Sequence, residues 1–454
     1  MVAQSKGKKP HDKFINVLTP YFLIVYSVVS LLSWFRYPSE EFYNLLNFSD
    51  TALRFRIIIG AVFVVYMLLI CLVNRKLPPW RYSWLFFFIC VYLGILVFVQ
   101  NKSYIYDPTK DPITIGTRAS AKFYLQWAYS VFMAYCLLFV LPMTKTRHKI
   151  QFLPFLIFWA LIGLVFIGYS VATQFDIYKN LSTWRGENKW LYIVHSFFND
   201  KNSFGAALFG CFVAAVVLAE QCKMRGRIPL LLLAFVYFAE CVFIRCSTAY
   251  VSEIAVIVTL YIFRCIQSIK KHPGVAWTFL SIGFLAFVFF ALILTVPSFY
   301  ESDKLLGKLR DVIVSPDYSG RVEIWANFLE ALDAKSVLLG WGPLGKTING
   351  YLIEHTIVER PLEDAFLDVF CAGGLVFLVF YIWVLAHTGK TIWGNRAINR
   401  PLFAGLLACF IGCIVYGITE INHFVFSSSS MTFVASFIVA AIPATVNRID
   451  KAKV

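Results

Sequence analysis

Charge is scarce in this sequence, and most of the familiar chemistry-bearing motifs are missing. Only 15% of its 454 residues are Asp, Glu, Lys or Arg, against about 25% in a soluble chain. Apolar residues reach 59%, above the usual ~45–50%, and the excess runs along the whole length. That distribution excludes a string of soluble domains. The string G-x-x-x-x-G-K-T, which contains G-x-G-x-x-G, occurs once, at 340–347, with no strand expected before it. There is no H-E-x-x-H. No D-x-D or D-D-x-x-D pair occurs either, so a metal-bound nucleotide or diphosphate lacks its usual ligands. The chain contains no C-x-x-C, and its eleven cysteines all fall in or beside apolar runs. Neither a disulfide framework nor a zinc site is implied, and the thiols read as packing residues.

The sequence does contain long apolar runs. A helix needs about 20 apolar residues to cross the hydrocarbon. Such runs recur at 16–35, 55–73, 82–100, 122–142, 151–173, 203–220, 228–245, 248–263, 275–296, 362–385, 402–419 and 427–446. They predict an all-α integral membrane protein of about twelve transmembrane helices. The first run follows Lys6, Lys8, Lys9 and Lys13 but is closed by Trp34-Phe35-Arg36 with no small-x-small site, so it reads as an uncleaved first helix.

The net charge of +15 could suggest a nucleic-acid partner, but its placement points to the membrane instead. Alternate connections carry the basic residues: Arg75, Lys76 and Arg81; Lys145, Arg147 and Lys149; Lys223, Arg225 and Arg227; Arg264, Lys270 and Lys271; Lys390, Arg396 and Arg400. The C-terminus adds Arg448, Lys451 and Lys453, and Asp12 and Asp450 are the acids of these tails and loops. This repeated positive-inside bias puts both termini in the cytoplasm and requires an even number of spans.

Two segments of the opposite side are too long to be simple connections, and they divide the chain. Residues 1–150 hold helices one to four, and 151–296 hold five to nine with an outer loop at 174–202. Residues 297–361 form a large, partly helical outer loop, and 362–454 hold the last three helices. Within the large loop, Ile324, Phe328, Leu329 and Leu332 are spaced as one face of an amphipathic helix. The glycines and proline of Gly340-Trp341-Gly342-Pro343 and Gly345 end it in a turn. Long loops on one side place the working face there, as a vestibule or as an active site.

Ionisable residues inside apolar runs are costly, at roughly +2.5–3.5 kcal/mol for a charge at the bilayer centre. Glu240 and Arg245 lie near the outer end of one run and Glu253 near the start of the next, with Cys246-Ser247-Thr248 as the turn between them. A Glu–Arg pair stapling two helices and an anion-binding guanidinium are both open readings.

Three outer-side motifs, in order, resemble the polymerase/ligase family of bacterial surface polysaccharide assembly, the Wzy-type O-antigen and capsule polymerases and the related O-antigen ligases. Phe198-Asn199-Asp200-Lys201-Asn202-Ser203-Phe204-Gly205 is similar to F-x-N-x-N-x-F/L-G/A. Gly320-Arg321-Val322-Glu323-Ile324-Trp325 with Leu339-Gly340-Trp341-Gly342-Pro343 is similar to G-R-x-x-I/L-W followed by G-x-G. Glu363-Asp364-Ala365-Phe366-Leu367-Asp368 with Gly373-Gly374-Leu375 is similar to H/E-N/D-x-F/Y-L followed by G-x-x-G. Asn422-His423-Phe424-Val425-Phe426-Ser427 stands in the place of a G-H-x-x-x-S segment. The likeness covers roughly 195–430; Glu363, where the ligase branch has histidine, points to the polymerase branch.

The resemblance implies a metal-independent, GT-C-like fold that needs no cofactor. It implies transfer of a glycan from an undecaprenyl-diphosphate-linked oligosaccharide to a sugar hydroxyl, on the outer face of a bacterial cytoplasmic membrane. The leaving diphosphate needs cations, and Arg321 and Arg245, then Arg185 and Lys201, are the candidates. The acceptor hydroxyl needs a base, for which Glu363 is first and Asp364 second, unless this pair caps a helix N-terminus. His195, Asn202, Trp325 and His423 are candidate glycan contacts. The bilayer and both lipid-linked substrates are the expected partners, with a chain-length regulator protein as a further candidate. A ligase of the same fold, a transporter or flippase of anionic substrates, and a non-catalytic scaffold are the competing functions.

Overall fold

In the computed structural model, the described residues are 18–28, 48–99, 121–143, 152–179, 194–198, 201–269, 272–295, 324–326, 328–329, 332, 334–340, 364–396, 400–420, 424, 426 and 433–451. Among them the chain is helical, with no strand. In order the helices are α1 (Leu18–Val28), α2 (Phe48–Asn74), α3 (Trp80–Val99), α4 (Ala121–Tyr135) and α5 (Leu153–Lys179). There follow α6 (Lys201–Gln221), α7 (Met224–Phe243), α8 (Ser247–Ile269), α9 (Pro273–Thr295) and the short α10 (Ala334–Leu339). The chain closes with α11 (Ala365–Gly394), α12 (Arg400–Thr419) and α13 (Phe433–Lys451).

With α10 set aside, each remaining helix coincides with one of the apolar runs. Seven of them, α3, α5, α6, α7, α8, α11 and α12, are long and apolar enough to cross a membrane. Their flanks agree with that reading. Leu72, Phe98, Leu232, Phe284 and Leu285 are exposed on helix sides, where a soluble protein would not leave a continuous apolar belt in water. The protein is an all-α membrane protein.

The centre of the bundle is α6. Every residue from Ser203 to Glu220 is buried, and many are small: Gly205, Ala206, Ala207, Gly210, Ala214, Ala215 and Ala219. Small side chains let neighbouring backbones approach, which is how helices associate where lipid removes the hydrophobic drive. Around it stand α5, α7, α8, α12 and α13. Apart from this core, α1 packs antiparallel on α2, with Phe22 stacked on Tyr66 at 4.7 Å and Thr19 hydrogen-bonded to the Tyr66 hydroxyl. The eleven cysteines are free thiols, eight of them buried, as packing residues should be.

Successive helices run antiparallel, so the core has two distinguishable ends. At one, which we call the basic end, the C-terminus of α6 meets the N-termini of α7 and α12 and the C-terminal part of α8. At the other, the loop end, Asn202, Cys246, Thr248 and Thr419 come together. The connection from α7 to α8 differs slightly from the sequence expectation. Its turn is Ile244-Arg245-Cys246, and Ser247 and Thr248 already belong to α8. Arg245 N–H bonds Val242 O at 3.1 Å and Cys246 N–H bonds Cys241 O at 3.1 Å, with Arg245 at φ 56°. This is a Schellman cap, carrying arginine where glycine is usual.

The large-loop helical face is also partly as expected. Ile324 and Phe328 are buried against Cys371, and Leu332 packs beside them. Leu329, however, is exposed, because the stripe that meets α11 is narrower than the apolar spacing suggested. Gly340 does end a helix, but that helix is α10 rather than the one begun at Ile324.

Candidate functional site

The loop end gathers most of the described candidate residues. Lys201 and Asn202 open α6, and Arg245 and Cys246 form the α7–α8 turn. The Cys246 thiol donates toward Asn202 Oδ1 at 3.9 Å. Burial pushes that thiol up to about 12, with the negative charge of Glu420 adding to the rise and the Lys201 ammonium opposing it. Lys201, Glu420 and the turn therefore share one electrostatic neighbourhood. The Thr248 hydroxyl donates to Thr419 O at 3.4 Å and ties the start of α8 to the end of α12.

His195 stands just before α6, half-buried. Its Nδ1 lies 3.0 Å from Ser196 O, and its Nε2 lies 3.2 Å from the Gln174 side-chain nitrogen. An amide nitrogen only donates, so Nε2 accepts and Nδ1 carries the proton. Gln174 sits at a kink in α5 (φ −126°, ψ 24°), and its Oε1 also accepts the backbone N–H groups of His195 and Ser196 at 3.2 Å each. Both ring nitrogens of His195 are engaged inside the protein.

Three further acids are buried, two of them, Glu240 and Glu253, near the loop end. Glu240 accepts from the Tyr178 hydroxyl across to α5, and Ser170 joins the same hydroxyl at 2.7 Å. Glu253 is fully buried, with the Cys241 thiol 3.6 Å from Oε1. Asp364 is 7% exposed and is the N-cap of α11, its Oδ1 accepting Leu367 N–H at 2.8 Å. One oxygen of Asp364 is thus committed to capping, the alternative that the sequence left open for the Glu363–Asp364 pair. Asp364 also lies within electrostatic range of the Tyr381 hydroxyl, which accepts Phe424 N–H at 3.0 Å. The third and fourth sequence motifs therefore meet through Tyr381.

Trp325 is half-buried in a small cluster with Ile324, Phe328 and Cys371, where Phe328 meets Phe370 edge-on at 6.1 Å. The large-loop motif is thereby held on the first half of α11. Glu363, Arg321, Arg185 and His423 lie outside the described residues. Among those described, no group of His, Cys, Asp or Glu is assembled to hold a metal ion.

Sequence reasoning missed Gln174, Tyr178, Tyr381 and Tyr92. Each is a polar group near or within an apolar run, a signal that was present but shared with many interface residues. A second omission is the shape of α11. It is broken at Gly373 (φ −144°, ψ 19°) and Gly374 (φ 65°, ψ −161°), nine residues from its cap and so about 13 Å along the helix.

No protein-family model matches the chain, and comparison with curated proteins gives no match.

Proposed function

We propose that this protein is a glycan polymerase of the bacterial cytoplasmic membrane. In this reading twelve helices cross the bilayer, both termini are cytoplasmic, and the loop end faces outward. The enzyme joins undecaprenyl-diphosphate-linked oligosaccharide units by an inverting, metal-independent displacement. Arg321, Arg245, Arg185 and Lys201 neutralise the leaving diphosphate, Glu363 removes the proton of the acceptor hydroxyl, and Asp364 holds the helix that follows it. His195, Asn202, Trp325 and His423 line the sugar path.

The observation that carries this reading is convergence. Residues from motifs spread over more than two hundred positions are each held against another candidate element: Asn202 at the Arg245–Cys246 turn, Trp325 on the first half of α11, and Phe424 on Tyr381, within electrostatic range of Asp364. Buried acids and cations at one membrane face suit transfer from a lipid-borne anion.

A broken helix at membrane depth is also a device of transporters, so transport is the second reading. One experiment separates them. Purified protein incubated with lipid-linked repeat alone should lengthen the lipid-linked chains. A ligase would leave that substrate unchanged until given its own acceptor. A transporter would move substrate into sealed vesicles and form no bond. Unlengthened chains from active, folded protein would sink the polymerase reading.

A further inference from the structure

The break in α11 is filled by an element of the large loop. The Gly374 conformation is one that only glycine adopts readily, and a side chain there would collide with Leu338 O and with Leu339 N, 2.7 Å away. Gly340, at φ 72°, closes from the other side, where an added Cβ would meet Cys371 O, Gly374 N at 2.6 Å and Gly373 N at 2.8 Å. The last turn of α10 therefore touches the interrupted α11 backbone to backbone. Non-helical backbone at bilayer depth persists only where protein or a polar cavity covers it, and α10 provides that cover.

A third helix secures the contact. The hydroxyl of Tyr92, on α3, lies 2.9 Å from Gly373 O and 3.3 Å from Leu338 O. One hydroxyl proton is thus shared between a carbonyl of the broken helix and a carbonyl of the loop helix. Upstream of the break, the first half of α11 (365–372) carries Asp364 at its cap and packs on Ile324 and Phe328.

We propose that Tyr92 is a positioning residue, whose hydroxyl locks α10 into the α11 break so that the loop helix and the Asp364-bearing half-helix open and close as one unit. Its consequence for turnover rests on the glycan-transfer reading; the coupling itself does not.

The test is Tyr92→Phe in the full-length protein, which keeps the ring and removes the hydroxyl. Hydrogen exchange should rise together in 334–340 and 365–374, by about fivefold to tenfold for one lost hydrogen bond, while 375–394 and the thermal midpoint stay as in wild type. Polymer formation should slow by a similar factor with KM for the lipid-linked donor unchanged. A rise in one segment alone, in neither, or throughout the bundle would overturn the proposal. A joint rise with wild-type turnover would overturn the positioning role and leave the polymerase reading intact. Should wild type make no polymer, the polymerase reading falls and the exchange pattern alone decides the coupling.

Discussion

The two ends of the α6–α7–α8 core both bury a carboxylate, and they satisfy it in opposite ways. At the basic end, Glu220 is bonded by Arg227 at 2.8 Å and by Arg264, and its stem packs on Gly405 of α12. At the loop end, Glu240 is held by a tyrosine hydroxyl and Glu253 by a thiol. A carboxylate matched by two guanidinium groups is a structural joint. Under the proposed function, the loop-end acids, which meet a hydroxyl and a thiol, belong to the region that also gathers Arg245 and Lys201 and receives the lipid-borne donor. The contrast predicts that substitutions at the basic end cost stability and those at the loop end cost activity.

The largest effects should come from the candidate machinery itself. Glu363→Gln and Arg321→Ala should leave the protein in the membrane at normal yield and stop glycan chains at one repeat, as read by the length distribution of lipid-linked product. Wild-type chain lengths would remove both residues from the mechanism. Next in size is Glu220→Gln. Removing one member of a buried ion pair costs about 3 kcal/mol, the low end of the range, since the two guanidinium groups keep 26% and 32% of their surface exposed. A lower thermal midpoint with near-normal activity per folded molecule is expected. Loss of activity at unchanged stability would erase the distinction between the ends.

Much of the scaffold was legible because the bilayer imposes one strong rule: backbone groups must be satisfied within each span, so apolar length reports helices directly. That is why each apolar run meets a helix, and why Lys201 and Asn202 open α6 where the first motif was read. The site was legible only in outline. Sequence spacing brought Glu240 and Arg245 to one helix end, but Tyr178, sixty-two positions away, is the partner of Glu240. The partnership depends on how α5 lies against α7, which no local pattern encodes. Gly373-Gly374 could be seen as a motif, yet that it breaks a helix depends on Leu338 and Gly340 arriving from the large loop. Leu329 was misassigned to the buried face for the same reason: the apolar spacing fits a wider stripe than α11 covers.

A smaller effect probes the buried acids. Glu253→Gln exchanges a fully buried carboxyl for an amide of the same shape. Among the described residues its Oε1 meets the Cys241 thiol rather than a cation, and Oε2 has no hydrogen-bond partner. The substitution should therefore change stability by no more than about 1 kcal/mol, well under the cost of Glu220→Gln, in side-by-side thermal denaturation. An equal or larger loss would mean that Glu253 is as much a structural joint as Glu220.

The smallest expected effect separates the ends most sharply. Arg75 closes α2 with the same cap as Arg245: φ 48°, Arg75 N–H to Leu72 O at 3.1 Å, and Lys76 N–H to Cys71 O at 3.4 Å. Arginine in this left-handed position costs about 1 kcal/mol relative to glycine. Arg75→Gly and Arg245→Gly should therefore each raise stability by a similar small amount if capping were all that either residue did. Only Arg245 belongs to the loop end. Its replacement should also raise KM for a lipid-diphosphate donor by about tenfold, the loss of one charge-assisted hydrogen bond, while Arg75→Gly leaves KM unchanged. If both variants gain stability and neither alters KM, Arg245 serves as a helix cap at the loop end just as Arg75 does at the basic end, and its guanidinium takes no part in donor binding. The diphosphate would then depend on Arg321, Arg185 and Lys201.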